Sequence, residues 1–299
     1  MIYSTAADWR GATQKRVLLF GMSGLGKTHL ANLLRAGPAT GGGWFHYSVD
    51  YRIGTRYMGE HIVDNFKREA MRNPFLADLL RTDSIYIASN ITFNNLAPLS
   101  TYLGKPGDPA RGGLPFADYL ARQDQHRIAE VAALLDTGHF IDRAQALYGY
   151  PNFVCDSGGS ICEVVDPDDP DDPMLKALSA HLLLVWIKGS EDHTAELVRR
   201  FDRAPKPMYY QPAFLHAMWQ EYLATHGKDE GNVDPDDFVR FTFARALARR
   251  QPRYRAMAEN WGVTVTAEQV AEVQTAADFT DLIAGAIART GAGPLAARR

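Results

Sequence analysis

The chain lacks several features that mark special classes of protein. Only two cysteines, Cys155 and Cys162, occur in 299 residues, which excludes a disulfide framework, and their spacing does not suit a metal site. The longest apolar stretches, such as residues 182–187, are too short to span a bilayer. Residues 1–9 show no basic region followed by an apolar core, so no secretion signal is expected. We therefore expect a cytoplasmic protein with reduced cysteines and no membrane partner.

Strong net charge is also missing. The formal charge is −3, which implies no general attraction to nucleic acid or to an anionic membrane. Apolar residues make up 46% of the chain and charged residues 22%, as in ordinary globular proteins. The length is enough for a core α/β domain with sizeable insertions, and no internal repeat is present.

The most informative segment that is present covers residues 21–28. It reads Gly-Met-Ser-Gly-Leu-Gly-Lys-Thr, which fits the pattern G-x-x-x-x-G-K-T of a phosphate-binding loop. The apolar run 16–20 before it predicts a buried strand, and the apolar spacing over 28–35 predicts a helix. Strand, glycine-rich loop and helix in this order place a phosphate group at the N-terminus of the helix.

The residue types of this segment suit a nucleotide with magnesium. Glycines let several backbone N–H groups point at one anion. Lys27 is expected to reach the β- and γ-phosphates of ATP, and the Thr28 hydroxyl to take one position on Mg²⁺. The predicted nucleotide-binding residues are Gly21, Ser23, Gly24, Leu25, Gly26, Lys27, Thr28 and His29.

Strands and helices alternate along the rest of the chain. Further strands are predicted over 44–49, 153–155, 181–187 and 263–265, and helices over 58–82, 116–135, 141–147, 191–203, 238–248 and 278–288. This alternation predicts a three-layer α/β/α fold with a parallel sheet, and a ligand crevice at the C-terminal ends of its strands. The expected divisions are core at 12–57, a helical substrate-binding insertion at 58–150, core with a lid at 151–207, an insertion at 208–237 and core again at 238–290.

Two carboxylates follow predicted strands. Asp50 is expected to accept the proton of an attacking hydroxyl, because the second strand neighbours the phosphate loop in folds of this kind. The alternative is an N-cap for a helix beginning at Tyr51. Asp156 is expected to hold the metal, usually through water, and the alternative is a turn-forming aspartate before Ser157.

Two charged clusters complete the candidate set. Arg199, Arg200, Arg203 and Lys206 could close over a triphosphate and neutralise charge, with Arg200 or Arg203 acting catalytically, although surface arginines on helices are common. Aspartates and prolines alternate over 166–173 and predict a solvated loop; a calcium site is the alternative, but the spacing fits no known calcium loop.

At this point the chain resembles shikimate kinase and related small-molecule kinases of the nucleoside-monophosphate-kinase-like fold. The matching segments are the loop 21–28, the D-x-x-I stretch 50–53, the pair Gly158-Gly159, the lid-like segment 199–207 and the R-x-P-x-Y-x-x-x-A run 250–258. Two departures stand beside them: Ser48 replaces the first acidic residue of the family's D-x-D, and Asp156 adds a carboxylate before the glycine pair. The likeness covers about half of the chain and leaves out the substrate pocket, so shikimate itself is not predicted.

The resemblance implies ATP- and Mg²⁺-dependent phosphorylation of a small hydroxylated molecule. By position, Asp50 would bind the acceptor hydroxyl, Gly158 and Gly159 would offer backbone donors, and Arg250 would hold an anionic group of the substrate. Arg127 is similar to the family's R-x-x-E substrate arginine, or else is an exposed residue paired with Glu130. The expected partner is a small-molecule phosphoryl acceptor, and no oligomeric state is predicted.

Two other functions remain open from the sequence. A nucleoside, nucleotide or macromolecule kinase would use the long insertion for a larger acceptor, with aromatic side chains stacking on a base. The candidate aromatic residues are Tyr86, Phe93, Tyr102, Phe116 and Tyr119. A regulatory ATPase that switches a protein partner ranks lower, because no run of four apolar residues ending in Asp-Glu is present.

Overall fold

A computed structural model describes residues 2–37 and 43–290 of the chain. Within these residues the fold is α/β, with one five-stranded sheet in which every pairing is parallel. The strands are β1 (Arg16–Phe20), β2 (Trp44–Ser48), β3 (Asn152–Asp156), β4 (Leu183–Lys188) and β5 (Gly262–Thr266). Their order across the sheet is β2-β3-β1-β4-β5.

Strand β1 lies at the centre of the sheet and pairs with β3 on one side and β4 on the other. Leu19 is in register with Asp156 of β3 and with Val185 of β4. The side chains of residues 17–20 are completely buried. A continuous apolar run is what a parallel strand covered on both faces requires. The strand that pairs with β1 on this side is thus β3, and β2 is an edge strand.

Helices connect the strands and account for most of the remaining chain. They are α1 (Ala6–Gly11), α2 (Lys27–Arg35), α3 (Val49–Arg52), α4 (Gly59–Ala70), α5 (Pro74–Arg81), α6 (Ala97–Leu103), α7 (Phe116–Tyr148), α8 (Pro173–Ser179), α9 (Glu191–Arg203), α10 (Pro212–His226), α11 (Pro235–Trp261), α12 (Ala267–Ala271) and α13 (Ala276–Thr290). A π-helical turn, Ile53–Tyr57, follows α3. None of the helices in the described residues has the length and apolar content to cross a membrane.

The chain divides into two compact units. Unit 1 consists of residues 1–49, 134–204 and 242–299, and unit 2 of residues 50–133 and 205–241. Unit 1 contains the whole sheet. Its core includes an aromatic cluster in which Trp9 and Trp44 both contact Phe279 edge-on, at centroid distances of 6.4 and 5.5 Å.

Unit 2 is helical. In its core Phe116 stacks on Trp219 with ring centroids 4.3 Å apart. The buried Tyr119 hydroxyl donates a hydrogen bond to the carbonyl of Met208 at 3.1 Å. The side-chain amide of Gln123, 1% exposed, donates to the same carbonyl and accepts from the backbone N–H of Tyr210. Tyr119 and Gln123 therefore both have hydrogen-bond partners, as polar groups in a packed core require.

Four helix predictions were wrong in their bounds. The segment 58–82 is two helices, because Asn73 precedes Pro74 and leaves helical geometry to cap α5 at 3.0 and 3.2 Å. The predicted helices 116–135 and 141–147 are one continuous helix, α7, which tolerates Gly138. Helix α11 extends far beyond 238–248 and continues through Pro252. The prediction of a helix over 191–203 is confirmed. Thr275 caps α13, because its hydroxyl accepts the backbone N–H of Asp278.

Candidate functional site

The loop Gly21–Gly26, which we call the glycine-rich loop, leaves the end of β1 in a conformation that needs glycine. Gly21, Gly24 and Gly26 have φ values of 133°, 79° and 90°, which side chains disfavour. A Cβ atom at Gly21 would also lie 2.6 Å from the carbonyl oxygen of Ile187 at the end of β4. The glycines of the motif are therefore required by the backbone of this loop.

Lys27 is the first residue of α2 and its side chain folds back over the glycine-rich loop. It is only 7% exposed. Its Nζ donates hydrogen bonds to the carbonyl oxygens of Gly21 at 2.9 Å and Met22 at 2.7 Å. An ammonium group and the N-terminus of a nine-residue helix thus add their positive charge at one place.

Neighbouring elements hold the glycine-rich loop in place. The Leu25 side chain packs so closely on Gly189 that a Cβ atom there would lie 2.9 Å away. The Met22 sulfur accepts from Gln251 on α11 at 2.8 Å. Leu25 can therefore offer a ligand only its backbone, whereas the predicted residues Ser23, Gly24 and His29 are exposed.

A hydroxyl and a carboxylate meet where β1 and β3 end. Thr28 Oγ1 donates a hydrogen bond of 2.7 Å to Asp156 Oδ2. Asp156 is 6% exposed, and the buried His46 of β2 places its Nε2 at 3.6 Å from the same oxygen. A threonine hydroxyl and one carboxylate suit Mg²⁺, which keeps most of its waters and needs few protein ligands. The predicted metal residues are therefore adjacent and their chemistry fits the ion.

The segment after β3 lies against the glycine-rich loop. Ser157 donates to the Leu19 carbonyl from its backbone N–H at 3.2 Å and from its hydroxyl at 2.9 Å. A Cβ atom at Gly159 would lie 3.7 Å from the Gly21 carbonyl oxygen and 3.8 Å from Ser23 Oγ. Gly159 thus borders the glycine-rich loop, while Gly158 is buried beside it.

The run 250–258 of α11 fixes this segment. The Tyr254 hydroxyl donates to the Gly159 carbonyl, and Arg253 Nε donates to the Cys162 carbonyl at 2.7 Å. Arg250 Nε donates to Glu163 Oε1 at 2.8 Å, with side chains 4% and 0% exposed. The structure gives Arg250 a buried structural partner, so its predicted contact with a substrate anion is not favoured by this geometry.

Burial changes the acid–base properties of this region. It raises the pKa of the Cys162 thiol to about 12, against the opposing charge of Arg250. Burial likewise raises the pKa of the Tyr254 hydroxyl well above its ordinary value. Both groups are neutral at physiological pH, so Tyr254 acts as a hydrogen-bond donor here, and Cys162 lacks the thiolate character of a nucleophile.

One of the arginines predicted to form a lid lies beside the glycine-rich loop. The Nη2 atom of Arg200 on α9 lies 4.0 Å from the position of a Cβ atom at Gly24. Its Nε is 3.3 Å from Glu196 Oε1, and the side chain is 60% exposed. Arg199 pairs with the same Glu196 at 2.7 Å, and Arg203 is exposed at the end of the helix. Of the two predicted lid arginines, Arg200 has the position that the role requires.

Two predicted substrate residues belong to unit 2. Asp50 lies inside the first turn of α3, which begins at Val49, so the N-cap alternative is wrong. Arg127 pairs with Asp124 at 2.8 Å on the surface of α7. The alternative pairing with Glu130 is wrong too: Glu130 is completely buried, and His126 Nδ1 lies 3.8 Å from it. The roles of Asp50 and Arg127 toward a substrate stay predictions.

Most of the aromatic side chains proposed for base stacking already pack against other side chains of the protein. Phe93 stacks on Tyr51 at 4.6 Å, and the Tyr102 hydroxyl donates to Gln125 at 2.6 Å. Tyr119 is completely buried and the half-buried Phe116 stacks on Trp219, which leaves Tyr86, 88% exposed. This packing disfavours the base-stacking hypothesis.

The acidic segment 166–173 is a loop that uses its own carboxylates as caps. Asp172 accepts from the backbone N–H of Leu175 at 2.7 Å and of Asp166 at 2.8 Å. Within the described residues no group of three or more His, Cys, Asp or Glu side chains could hold a metal ion. The prediction of a solvated loop is favoured over a calcium site.

Sequence reasoning missed His46 and gave no role to Tyr254. His46 is the one histidine in a strand rich in aromatic residues, and that position was the available signal. Comparison with known proteins adds nothing to either assignment: no family model, no curated protein and no solved structure matches this chain.

Proposed function

We propose that this protein is a phosphotransferase that moves the γ-phosphoryl group of ATP to a hydroxyl of a small, anionic metabolite. The finer fold we infer is a three-layer α/β/α arrangement with a phosphate-binding loop. The observation that carries the proposal is the meeting of Lys27, Thr28 and Asp156 at the ends of the adjacent strands β1 and β3. Phosphoryl transfer asks a protein chiefly for such positioning and charge neutralisation.

Each residue has a definite part in this proposal. The backbone N–H groups of the glycine-rich loop and Lys27 would hold the phosphates, and Thr28 with Asp156 would hold Mg²⁺ directly or through water. Bound Mg-ATP supplies the phosphoryl group and most of the charge to be neutralised. Arg200, exposed beside Gly24, would add positive charge at the open side of the loop.

Lys27→Ala tests the proposal directly, with Lys176→Ala as a matched control. Lys176 is an exposed residue of unit 1 whose Nζ pairs with Asp171 at 2.5 Å. We expect Lys27→Ala to lose Mg-ATP affinity and to lower turnover by about a hundredfold, the usual effect of removing one electrostatic stabiliser. Calorimetry and a mass-spectrometric search for phosphorylated metabolites are the measurements. Near-normal turnover in the variant contradicts the proposal.

A second experiment distinguishes a kinase from a regulatory ATPase that switches a protein partner. A kinase turns over faster when its acceptor is added, whereas a regulatory ATPase hydrolyses slowly whatever small molecule is present. Wild-type protein would therefore be incubated with Mg-ATP with and without a metabolite extract, and the rate of ADP formation compared. If ATP hydrolysis does not depend on an acceptor and no phosphorylated product forms, the regulatory ATPase is favoured over the kinase.

A further inference from the structure

Unit 2 contains a polar cleft that the proposed chemistry does not use. Its volume is about 670 Å³, in the range of small-molecule pockets. Parts of the segment 94–101, the two ends of the loop 104–112, and residues 206, 207, 235 and 236 line it. We call it the unit 2 cleft.

The positive side chains of the cleft outnumber the negative ones. Lys105, Arg111 and Lys206 line it together with a single carboxylate, Asp236. This local excess contrasts with the net charge of −3 for the whole chain. Among the described residues Lys206 forms no ion pair, and its side chain is exposed. The cleft is therefore suited to an anion.

Ion pairs hold the other two cations in place. Lys105 Nζ lies 2.5 Å from Asp236 Oδ1, and Arg111 Nη1 lies 2.6 Å from Asp234 Oδ2. Asp234 is fixed in turn, because its other oxygen accepts the backbone N–H groups of Asp236 and Asp237 at 2.9 and 3.0 Å. Both cations are thus oriented before any ligand arrives, which reduces the entropy lost on binding.

Backbone hydrogen bonds anchor the loop 104–112, whose two ends line the cleft. Gly107 donates its N–H to the Leu114 carbonyl at 2.9 Å, and Asp108 donates to Val233 at 2.8 Å. A Cβ atom at Gly107 would lie 2.5 Å from the Val233 carbonyl oxygen, and φ there is +144°. Only glycine permits this approach, so the loop is built to a fixed shape.

The remaining lining selects the kind of anion. Ser100 and Thr101 offer hydroxyl groups and Asn94 a side-chain amide, and none of the lining residues is aromatic. Such a surface suits hydroxyl groups better than a base or an apolar ring. We propose that the unit 2 cleft binds a small hydroxylated carboxylate, of the sugar-acid class, with Lys206 and Arg111 contacting its carboxylate.

D-Gluconate is the probe for the test, with sorbitol and acetate as controls. Sorbitol keeps the hydroxyl groups without the charge, and acetate keeps the charge without the hydroxyl groups. We expect saturable millimolar binding of gluconate by calorimetry, much weaker binding of both controls, and loss of affinity with rising salt. Equal binding of gluconate and sorbitol, or no saturable gluconate binding, overturns the proposal.

Two variants and their matched controls locate the bound probe. Lys206→Ala and Arg111→Ala should each weaken gluconate binding by about tenfold, the usual loss for one charged hydrogen bond. Their controls are Lys67→Ala and Arg72→Ala, exposed residues of unit 2 paired with Asp64 and Glu69. The controls should bind as wild type, and circular dichroism should show all four variants folded.

A fifth variant separates this cleft from the phosphate site. Lys27→Ala should leave gluconate affinity unchanged, since Lys27 belongs to unit 1. If Lys27→Ala abolishes gluconate binding while Lys206→Ala does not, the probe occupies the glycine-rich loop and the inference is wrong. These binding measurements do not depend on phosphotransferase activity. The inference about the unit 2 cleft can therefore fail while the proposed function holds, and the reverse is also possible.

Discussion

Thr28 and Asp156 are joined by a hydrogen bond of 2.7 Å although 127 residues lie between them in the chain. The bond exists because β3 lies next to β1, so both strands end at the same edge of the sheet. The order of the strands therefore brings the two proposed metal ligands together. Comparing single and double variants can test whether they act as one site.

The first prediction concerns this pair. Thr28→Val and Asp156→Asn should each reduce the stabilisation that Mg-ATP gives to the folded protein, measured as a shift in melting temperature. Because both variants remove parts of one metal site, the double variant should lose little more than either single one. Fully additive losses would show that the two residues act separately.

The second prediction distinguishes two neighbouring arginines of α9. Arg200→Ala should lower kcat by at least about tenfold, because a charge beside the glycine-rich loop is removed. Arg199→Ala is the control: its side chain is 61% exposed, against 60% for Arg200, and contacts the same Glu196. Steady-state kinetics of phosphoryl transfer is the measurement. Equal effects of the two changes would exclude a special role for Arg200.

The third prediction decides between two roles of Arg250. If its ion pair with Glu163 is structural, Arg250→Ala should reduce the free energy of unfolding by about 3 kcal/mol, since the buried carboxylate then keeps only its longer contact with Arg249 Nη1 at 3.5 Å. The double change Arg250→Met with Glu163→Leu should recover much of that loss. Urea unfolding measures both. A rise in KM at unchanged stability would instead support the substrate role implied by the family resemblance.

The fourth prediction concerns alkaline pH. Cys162 keeps its proton in the folded protein up to about pH 12, against an ordinary thiol value of 9.0, and burial raises the pKa of Tyr254 in the same direction. Above about pH 9 the unfolded chain loses these protons first, so stability falls as pH rises.

Each such group contributes a slope of up to about 1.4 kcal/mol per pH unit. Urea unfolding at several pH values between 8 and the alkaline limit of folding, roughly one unit apart, gives the slope. Cys162→Ala should make the decline shallower, while the exposed-surface change Lys176→Ala should not. A stability that is flat up to the limit would contradict the raised pKa values.

Much of the candidate site could be predicted because its signals are local. The strand, glycine-rich loop and helix over 16–35 are formed by neighbouring residues, as is helix α9 with its Ser190 cap. Asp156 could be found because it ends an apolar run. Lateral strand order is not a local property, so the sequence did not predict that β3 rather than β2 pairs with β1.

Partners distant in the chain explain the other errors. Glu163, which engages Arg250, is 87 residues away, and no spacing rule connects the two. Helix α11 continues through Pro252 although a proline inside a helix costs about 3 kcal/mol. The contacts that Arg250, Arg253 and Tyr254 make with the segment after β3 offset that cost. Contacts between residues distant in the chain thus determine both the partner of Arg250 and the length of α11.

The central place of β1 has a consequence for biogenesis. This strand is translated before both of its neighbours, which follow at 152–156 and 183–188. A nascent chain that ends before residue 183 cannot complete the sheet around the glycine-rich loop. Parallel pairings over such separations also form slowly. We therefore expect β1 and the glycine-rich loop to remain incompletely folded during synthesis. Chaperones that shield apolar nascent segments should then matter more for this protein than for one built from hairpins.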